Sequence, residues 1–329
     1  MLTRLNLHPL ERRNLLILMS LLLIVSAALV LIVDLNNPFN NQIERQILLQ
    51  LRLPTVLTAF IVGAGLAVSS ASLQVLLRNP LADPGFIGIS SGASLCAALL
   101  LLLGSGWSFA YLQYILPLFC FFGAMLSTLL IYAISRRMAV GSSAVILAGI
   151  GISTISGAII AWLYFFSDAQ SMRNLAFWLM GSLHQADWSI LSIALPLMLL
   201  LLAYSLRQGK NLNWYYFGGS TAQLAGLDIQ IFNKKMLFVC ALMVGVCVSI
   251  SGSIAFIGLL VPHLLRNFFG FDNRFILPAS ALLGGTLLMW VVLLSNSFGG
   301  INVPVSMLTA TIGGPVFLYS IARLGRRAS

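Results

Sequence analysis

The sequence predicts an all-α membrane protein of about ten spanning helices, and three observations carry that expectation. Of 329 residues, 59% are hydrophobic and only 8% charged. Soluble domains carry roughly a quarter charged residues, so this composition cannot build a water-facing surface. Long uncharged apolar runs recur along the whole length, and the charges fall in the short segments between them. A spanning helix needs about 20 mainly apolar residues. The runs that supply them are Asn14–Val33, Leu53–Leu77, Pro84–Ser135, Met138–Ser167, Trp188–Leu206, Met236–Leu265 and Phe275–Ala322.

The first run follows basic residues, as in a signal peptide. It is long enough to span, however, and no A-x-A-like site follows, so it reads as a retained helix. The second run ends where Pro80 disfavours helix at Asn79. There "RNPLADPGFIGISSGAS", Arg78 to Ser94, interrupts two apolar stretches. Asp83 is suited to cap the next helix with Pro84 at its first position. Gly88 and Gly92, four apart, let helix backbones approach closely in lipid. Pro84–Ser135 is long enough for two helices and divides near Gly104–Ser108. Met138–Ser167 and Trp188–Leu206 supply one helix each. In Met236–Leu265, Gly252, Gly258 and Pro262 suggest a helix, a tight turn and a short returning helix. Phe275–Ala322 divides near Ser295–Pro304, which completes ten.

An even count puts both termini on one side. With the N-terminus inside, fifteen Lys and Arg residues fall on inner segments and only Arg45, Arg52 and Arg173 on outer ones. That asymmetry is the one expected when the positive loops are cytoplasmic. The net charge of +10 is thus spent on orientation, and no continuous basic face suits nucleic acid. Cys96, Cys120, Cys240 and Cys247 lie within apolar runs without metal-ligand spacing and read as small core residues.

No Asp, Glu, Lys or Arg falls in the middle of a span, which argues against an ion-coupled carrier. His8, His184 and His263 are the only histidines. With no H-E-x-x-H or comparable pair, an enzyme is not expected. No Walker motif is present, so any ATP hydrolysis happens on another chain. The longest polar inner segment, Arg207 to Lys235, could hold one or two short helices against a soluble partner. It could equally be an interfacial loop anchored by Trp214, Tyr215 and Tyr216.

"RLPTVLTAFIVGAGLAVSSASLQVLLRNPLADPGFIGISSGAS" resembles the signature of permease subunits of type II ABC importers, the family carrying ferric siderophores, haem and cobalamin. "FWLMGSL" (Phe177–Leu183), "GSIAFIGLLVPHLLR" (Gly252–Arg266), "LPASALLGG" (Leu277–Gly285) and "VPVSMLTATIGGPVF" (Val303–Phe317) match further family blocks in the same order. The resemblance implies a single transmembrane permease domain over residues 1–329, in the inner membrane with both termini cytoplasmic. Its implied partners are a second permease subunit, two ATPase subunits carrying ATP and Mg, and a periplasmic binding protein. This chain itself would bind no cofactor.

By the same resemblance, Asn79, Pro80, Leu81, Ser142 and Ser143 form a cytoplasmic gate. Residues 207–235 form a coupling segment in which Gly218, Ala222, Gly226 and Leu227 match the piece that docks on the ATPase. Arg52 matches a position that docks the binding protein, with Arg45 and Arg173 as further candidates. The chain departs from the family pattern at Gly219, Ala225, Val291 and Asn302, and at Thr55 and Ser295 in two docking positions. These departures leave homodimer against heterodimer open. A ferric siderophore or haem is the first expectation for cargo, cobalamin or an oxyanion such as molybdate the alternative. An ATP-independent carrier or channel is the contrasting class.

Overall fold

Without water in the bilayer core, backbone polar groups must pair within their own segment. Helices answer that demand in a computed structural model of the chain, which describes residues 9–33, 35, 41–85, 87–103, 112–137, 143–185, 187–297 and 303–325. The order is α1 (Pro9–Ile32), α2 (Gln42–Ile47), a π-helical turn (Leu48–Arg52), α3 (Leu53–Leu76), α4 (Ile89–Leu103), α5 (Leu112–Ser135) and α6 (Ser143–Phe165). There follow α7 (Ala169–Leu179), α8 (Trp188–Arg207), α9 (Gly209–Phe217), α10 (Gly219–Leu224), α11 (Ile229–Ser251), α12 (Ile257–Phe269), α13 (Asn273–Asn296) and α14 (Val305–Gly325). Among the described residues, seven helical segments are long and apolar enough to cross a membrane. The shorter apolar stretches of α4, α12 and α14 complete the expected ten.

α3 is the axis of the bundle, buried along almost its whole length. Apolar side chains gain little from meeting each other instead of lipid, so close backbone packing holds the helices together. At the α3–α13 crossing a Cβ on Gly63 would lie 2.2 Å from the carbonyl oxygen of Gly284, and one on Gly284 2.3 Å from that of Gly63. Gly92 of α4 and Gly123 of α5 meet in the same way, at 2.2 and 2.4 Å. Two buried hydroxyls of α3 return to their own helix, Ser69 Oγ donating to Gly65 O and Ser72 Oγ to Val68 O. The four thiols are free. Three are buried, and Cys240 and Cys247 sit 3.8 and 3.6 Å from carbonyls of α3, so they serve as core packing.

The returning helix expected after Gly252 is present. α11 closes on Gly252 at φ +69, and the non-helical stretch 252–256 leads to α12, which starts partway along the bundle: a Cβ on Gly258 would lie 2.2 Å from Ser70 Oγ in the interior of α3. Three boundaries and one additional helix differ from expectation. α4 begins at Ile89 rather than at Pro84, because the Asp83 carboxylate is spent on the Gly85 N–H and Gly88 takes φ +89. The helix containing α3 starts eleven residues early, at Gln42, through the π-helical turn. α11 starts at Ile229, where Asp228 accepts from Ile231 N at 3.0 Å, so Lys234 and Lys235 lie inside it. α7 was not expected; Asp168 caps it by accepting from Gln170 N and Ser171 N, and Leu175 and Trp178 share its buried face.

Alternating helix directions gather the loops at two ends. One end, here the basic end, holds the start of α1, the α3–α4 loop, α9, α10 and the α12–α13 corner. The opposite end holds α2, α7, the end of α13 and the start of α14.

Candidate functional site

At the basic end α3 stops in a Schellman arrangement: Arg78 N donates to Val75 O at 3.2 Å and Asn79 N to Gln74 O at 3.1 Å. This geometry needs a left-handed residue, usually glycine. Here it is Arg78, at φ +48. Asn79 Oδ1 then accepts from Leu81 N at 2.9 Å and Asn79 O from Ala82 N at 3.1 Å. The result is a tight turn that leaves Pro80 and Leu81 exposed. Behind it, Asp83 accepts from Gly85 N at 3.0 Å and from Ser70 Oγ at 3.2 Å, which ties the loop back to α3. The loop also rests on α6: a Cβ on Gly149 would fall 2.1 Å from Ile87 O. Ser143 opens α6 and is exposed, whereas Ser142 lies outside the described residues.

Beside this turn lies a cleft of about 700 Å³. Leu81, Asp83 and Ser90 form one wall, the 253–256 stretch and Leu259 a second, and Gly314, Phe317 and Leu318 of α14 a third. Its surface is mainly apolar and carries no Lys or Arg. Phe256 holds the strained φ of +72, and α14 passes so near that a Cβ on Gly313 would lie 3.0 Å from Phe256 Cβ. Strain of this kind in a non-glycine residue persists only where the surroundings enforce it. Nothing in the sequence signalled this wall, since its members come from three separate segments.

The Arg207–Lys235 segment forms two short helices, α9 and α10, joined at Gly218 with φ +132. Ala222 is buried; Gly226, at φ +83, closes α10, with Leu227 N returning to Ala222 O at 3.0 Å. The hairpin thus exposes Phe217 at the end of α9 and Leu224 at the end of α10, 74% and 91% exposed. α9 itself is clamped to the bundle. Asn213 Oδ1 accepts from Asn273 N at 2.7 Å and from Asn273 Nδ2 at 2.9 Å, and Asn213 Nδ2 donates to Asp272 Oδ1 at 2.7 Å. Asp272 also pairs with Arg12 of α1 and with Arg274, and Arg266 Nη2 bridges Asn273 Oδ1 and Ala71 O, both at 3.0 Å.

Burial pushes the Asp272 carboxyl up, but bonds from Asn213 and Arg274 and the Arg274 charge outweigh it and hold the group below its ordinary 3.8. A carboxyl depressed in the fold stabilises above its unfolded value and loses that contribution as pH falls through the lower native one. Asp272→Asn is therefore expected to lower the melting temperature in detergent at neutral pH. The gap from the parent should narrow as pH falls below 3.8; a gap independent of pH would contradict this.

At the opposite end Arg52 Nη1 donates to Val30 O at 3.2 Å and Leu31 O at 3.3 Å, and also to Val33 O, so it caps α1. Arg45 of α2 is exposed, and Arg173 of α7, also exposed, donates to Gln170 Oε1 at 2.8 Å. Trp188 Nε1 joins α8 to this end through Leu49 O at 2.8 Å. His184 stands 3.5 Å from Thr55 Oγ1. His263 packs at 5.4 Å against the Phe317 ring, with Asn267 Nδ2 3.1 Å from its Nε2. Among the described residues no three potential ligands gather for a metal ion.

Ten apolar helical segments among the described residues, with an apolar cleft, a braced turn beside it and a short helical hairpin at the basic end, define a membrane transport permease. The chain belongs to the FecCD transport family, whose model matches residues 14–323. It is 37% identical over 325 residues to the vitamin B12 import system permease protein BtuC of Vibrio vulnificus, covering 95% of this chain and 94% of that protein. It is 39% identical over 288 residues to the hemin transport system permease protein HmuU of Yersinia pestis, covering 87% and 86%. Among solved structures, a chain described as an inward-facing metal-chelate type ABC transporter matches with a TM-score of 0.86 at 30% identity, over 94% of this chain and 99% of that one.

Proposed function

We propose that this chain is the permease subunit of an ATP-driven importer that moves a metal chelate, a ferric siderophore or haem, into the cytoplasm. The observation that carries the reading is the cleft: large, mainly apolar and free of cationic side chains on its described wall. Such a wall grips a bulky chelate weakly and lets it pass, with affinity left to a periplasmic binding protein. A small oxyanion would want cationic side chains, and no Lys or Arg stands on this described wall. Cobalamin is the second reading, favoured by the similarity to BtuC across 95% of the chain.

In this reading the basic end faces the cytoplasm, as the positive-inside bias requires, and both termini lie there. Asn79, Pro80 and Leu81, with Ser142 and Ser143, form the gate. The α9–α10 hairpin, through Gly218, Ala222, Gly226 and Leu227, docks on one of two ATPase subunits, which bind ATP and Mg. A second permease subunit closes the open side of the cleft. Arg45 and Arg173, both exposed, meet the binding protein, while Arg52 divides its guanidinium between that task and the end of α1.

The test is uptake in a strain lacking only this gene, offered labelled ferric siderophores, haem, cobalamin and molybdate singly. Loss of a chelate, restored by the intact chain, is expected. Loss of molybdate alone would overturn the chelate reading.

A further inference from the structure

We propose that Tyr215 is the joint that passes movement of the α9–α10 hairpin to the 79–81 turn, an inference that rests on the coupling and gate roles proposed above. The last carbonyls of a helix have no partner within it. At the end of α3, Leu76 O receives the Tyr215 hydroxyl, at 3.4 Å. The same hydroxyl accepts from Asn233 Nδ2 of α11 at 3.1 Å. The guanidinium of Arg78, the left-handed residue immediately before Asn79, lies 5.6 Å from the centre of the Tyr215 ring. A cation over an aromatic face at this range is attracted to it. Phe232 backs the ring at 6.2 Å, and Tyr215 is only 7% exposed.

One side chain of the hairpin thus holds the root of the turn from two sides, by its hydroxyl at Leu76 and by its face at Arg78. The second clamp on α9, through Asn213, goes instead to the α12–α13 corner. A shift or tilt of α9 therefore reaches Leu76 and Arg78 directly, and the short Asn79–Leu81 turn has no slack to absorb it. Arg78 already sits in an unfavourable backbone region, so the turn is poised to change shape when its support moves.

The experiment uses the complete complex in proteoliposomes, with Leu81→Cys labelled by a membrane-impermeant maleimide before and after ATP is trapped. The unsubstituted complex supplies the background from native thiols. In the Leu81→Cys parent, trapping is expected to change the labelling rate about tenfold, the scale of an ordinary coupling energy. Adding Tyr215→Phe, which keeps the ring and removes the hydroxyl, should shrink that ratio to less than about twofold while ATP turnover persists. Adding Asn213→Ala should lower the melting temperature and leave the ratio near the parent's.

A Tyr215→Phe ratio equal to the parent's would overturn the joint. So would an equal collapse in Asn213→Ala, since any loosening of α9 would then suffice. If Tyr215→Phe does not assemble, Arg78→Met carries the test from an exposed position, with about a threefold reduction expected and an unchanged ratio counting against the proposal. No response in the parent would defeat the coupling reading itself, and the joint with it.

Discussion

Leu224→Asp is expected to abolish ATP-driven uptake while leaving the chain folded in the membrane. Leu224 is 91% exposed at the tip of α10, and nothing in the bundle covers it. Under the proposed docking role, an apolar residue held out on a short helix whose neighbour Ala222 is fully buried would enter a groove on the ATPase subunit. A carboxylate forced into that groove without a partner costs ~3 kcal/mol or more, which weakens docking about a hundredfold or beyond. Co-purification of the ATPase subunit and uptake in cells should fall together, and the melting temperature of the isolated chain should stay within a few degrees. Normal co-purification with normal uptake would show that Leu224 is not the contact.

Gly63→Leu is expected to prevent folding altogether. Its side chain would have to occupy the place of Gly284's carbonyl, 2.2 Å from the new Cβ, and both partners are backbone within helices. Overpacking a core usually costs about 1–3 kcal/mol when side chains can shift; here only separation of α3 from α13 relieves the clash. Gly151→Leu is the matched control, since a Cβ there meets nothing within 4 Å. Membrane levels after expression, and the melting temperature of whatever is recovered, should separate the two variants sharply. Equal recovery would mean that the α3–α13 contact does not hold the bundle.

The span count was legible because hydrocarbon imposes one length on every helix, and charges marked the ends. The half-helix α12 was legible for a related reason: Met236–Leu265 was too long for one span, and Gly252 showed where it breaks, whereas Pro262 lies inside α12. α7 left signals that could have found it, an aspartate cap at Asp168 and an apolar face at Leu175 and Trp178. Asp83 misled, because its residue type suits a helix cap as well as a loop brace, and only the positions of Gly85 and Ser70 decide between them.

The turn at Asn79–Leu81 and the hairpin at Gly218–Leu227 could be placed from their motifs. Their supports could not. Tyr215 meets Leu76 across 139 positions of sequence, and Asn213 meets Asn273 across 60. Contacts at that separation follow from how helices pack and leave no periodicity to read. Arg52 shows the same limit. A basic residue between two spans looks available to a partner, yet its guanidinium lies on the carbonyls that end α1.

The central claim is that this permease moves a chelate inward at the expense of ATP. Its most direct test is the purified complex in sealed proteoliposomes, with binding protein and labelled chelate on the outside and ATP on the inside. Accumulation above the external concentration with ATP, and none with a non-hydrolysable analogue, is the predicted result. Equilibration of the chelate across the membrane without ATP would contradict the account and make the chain a passive channel.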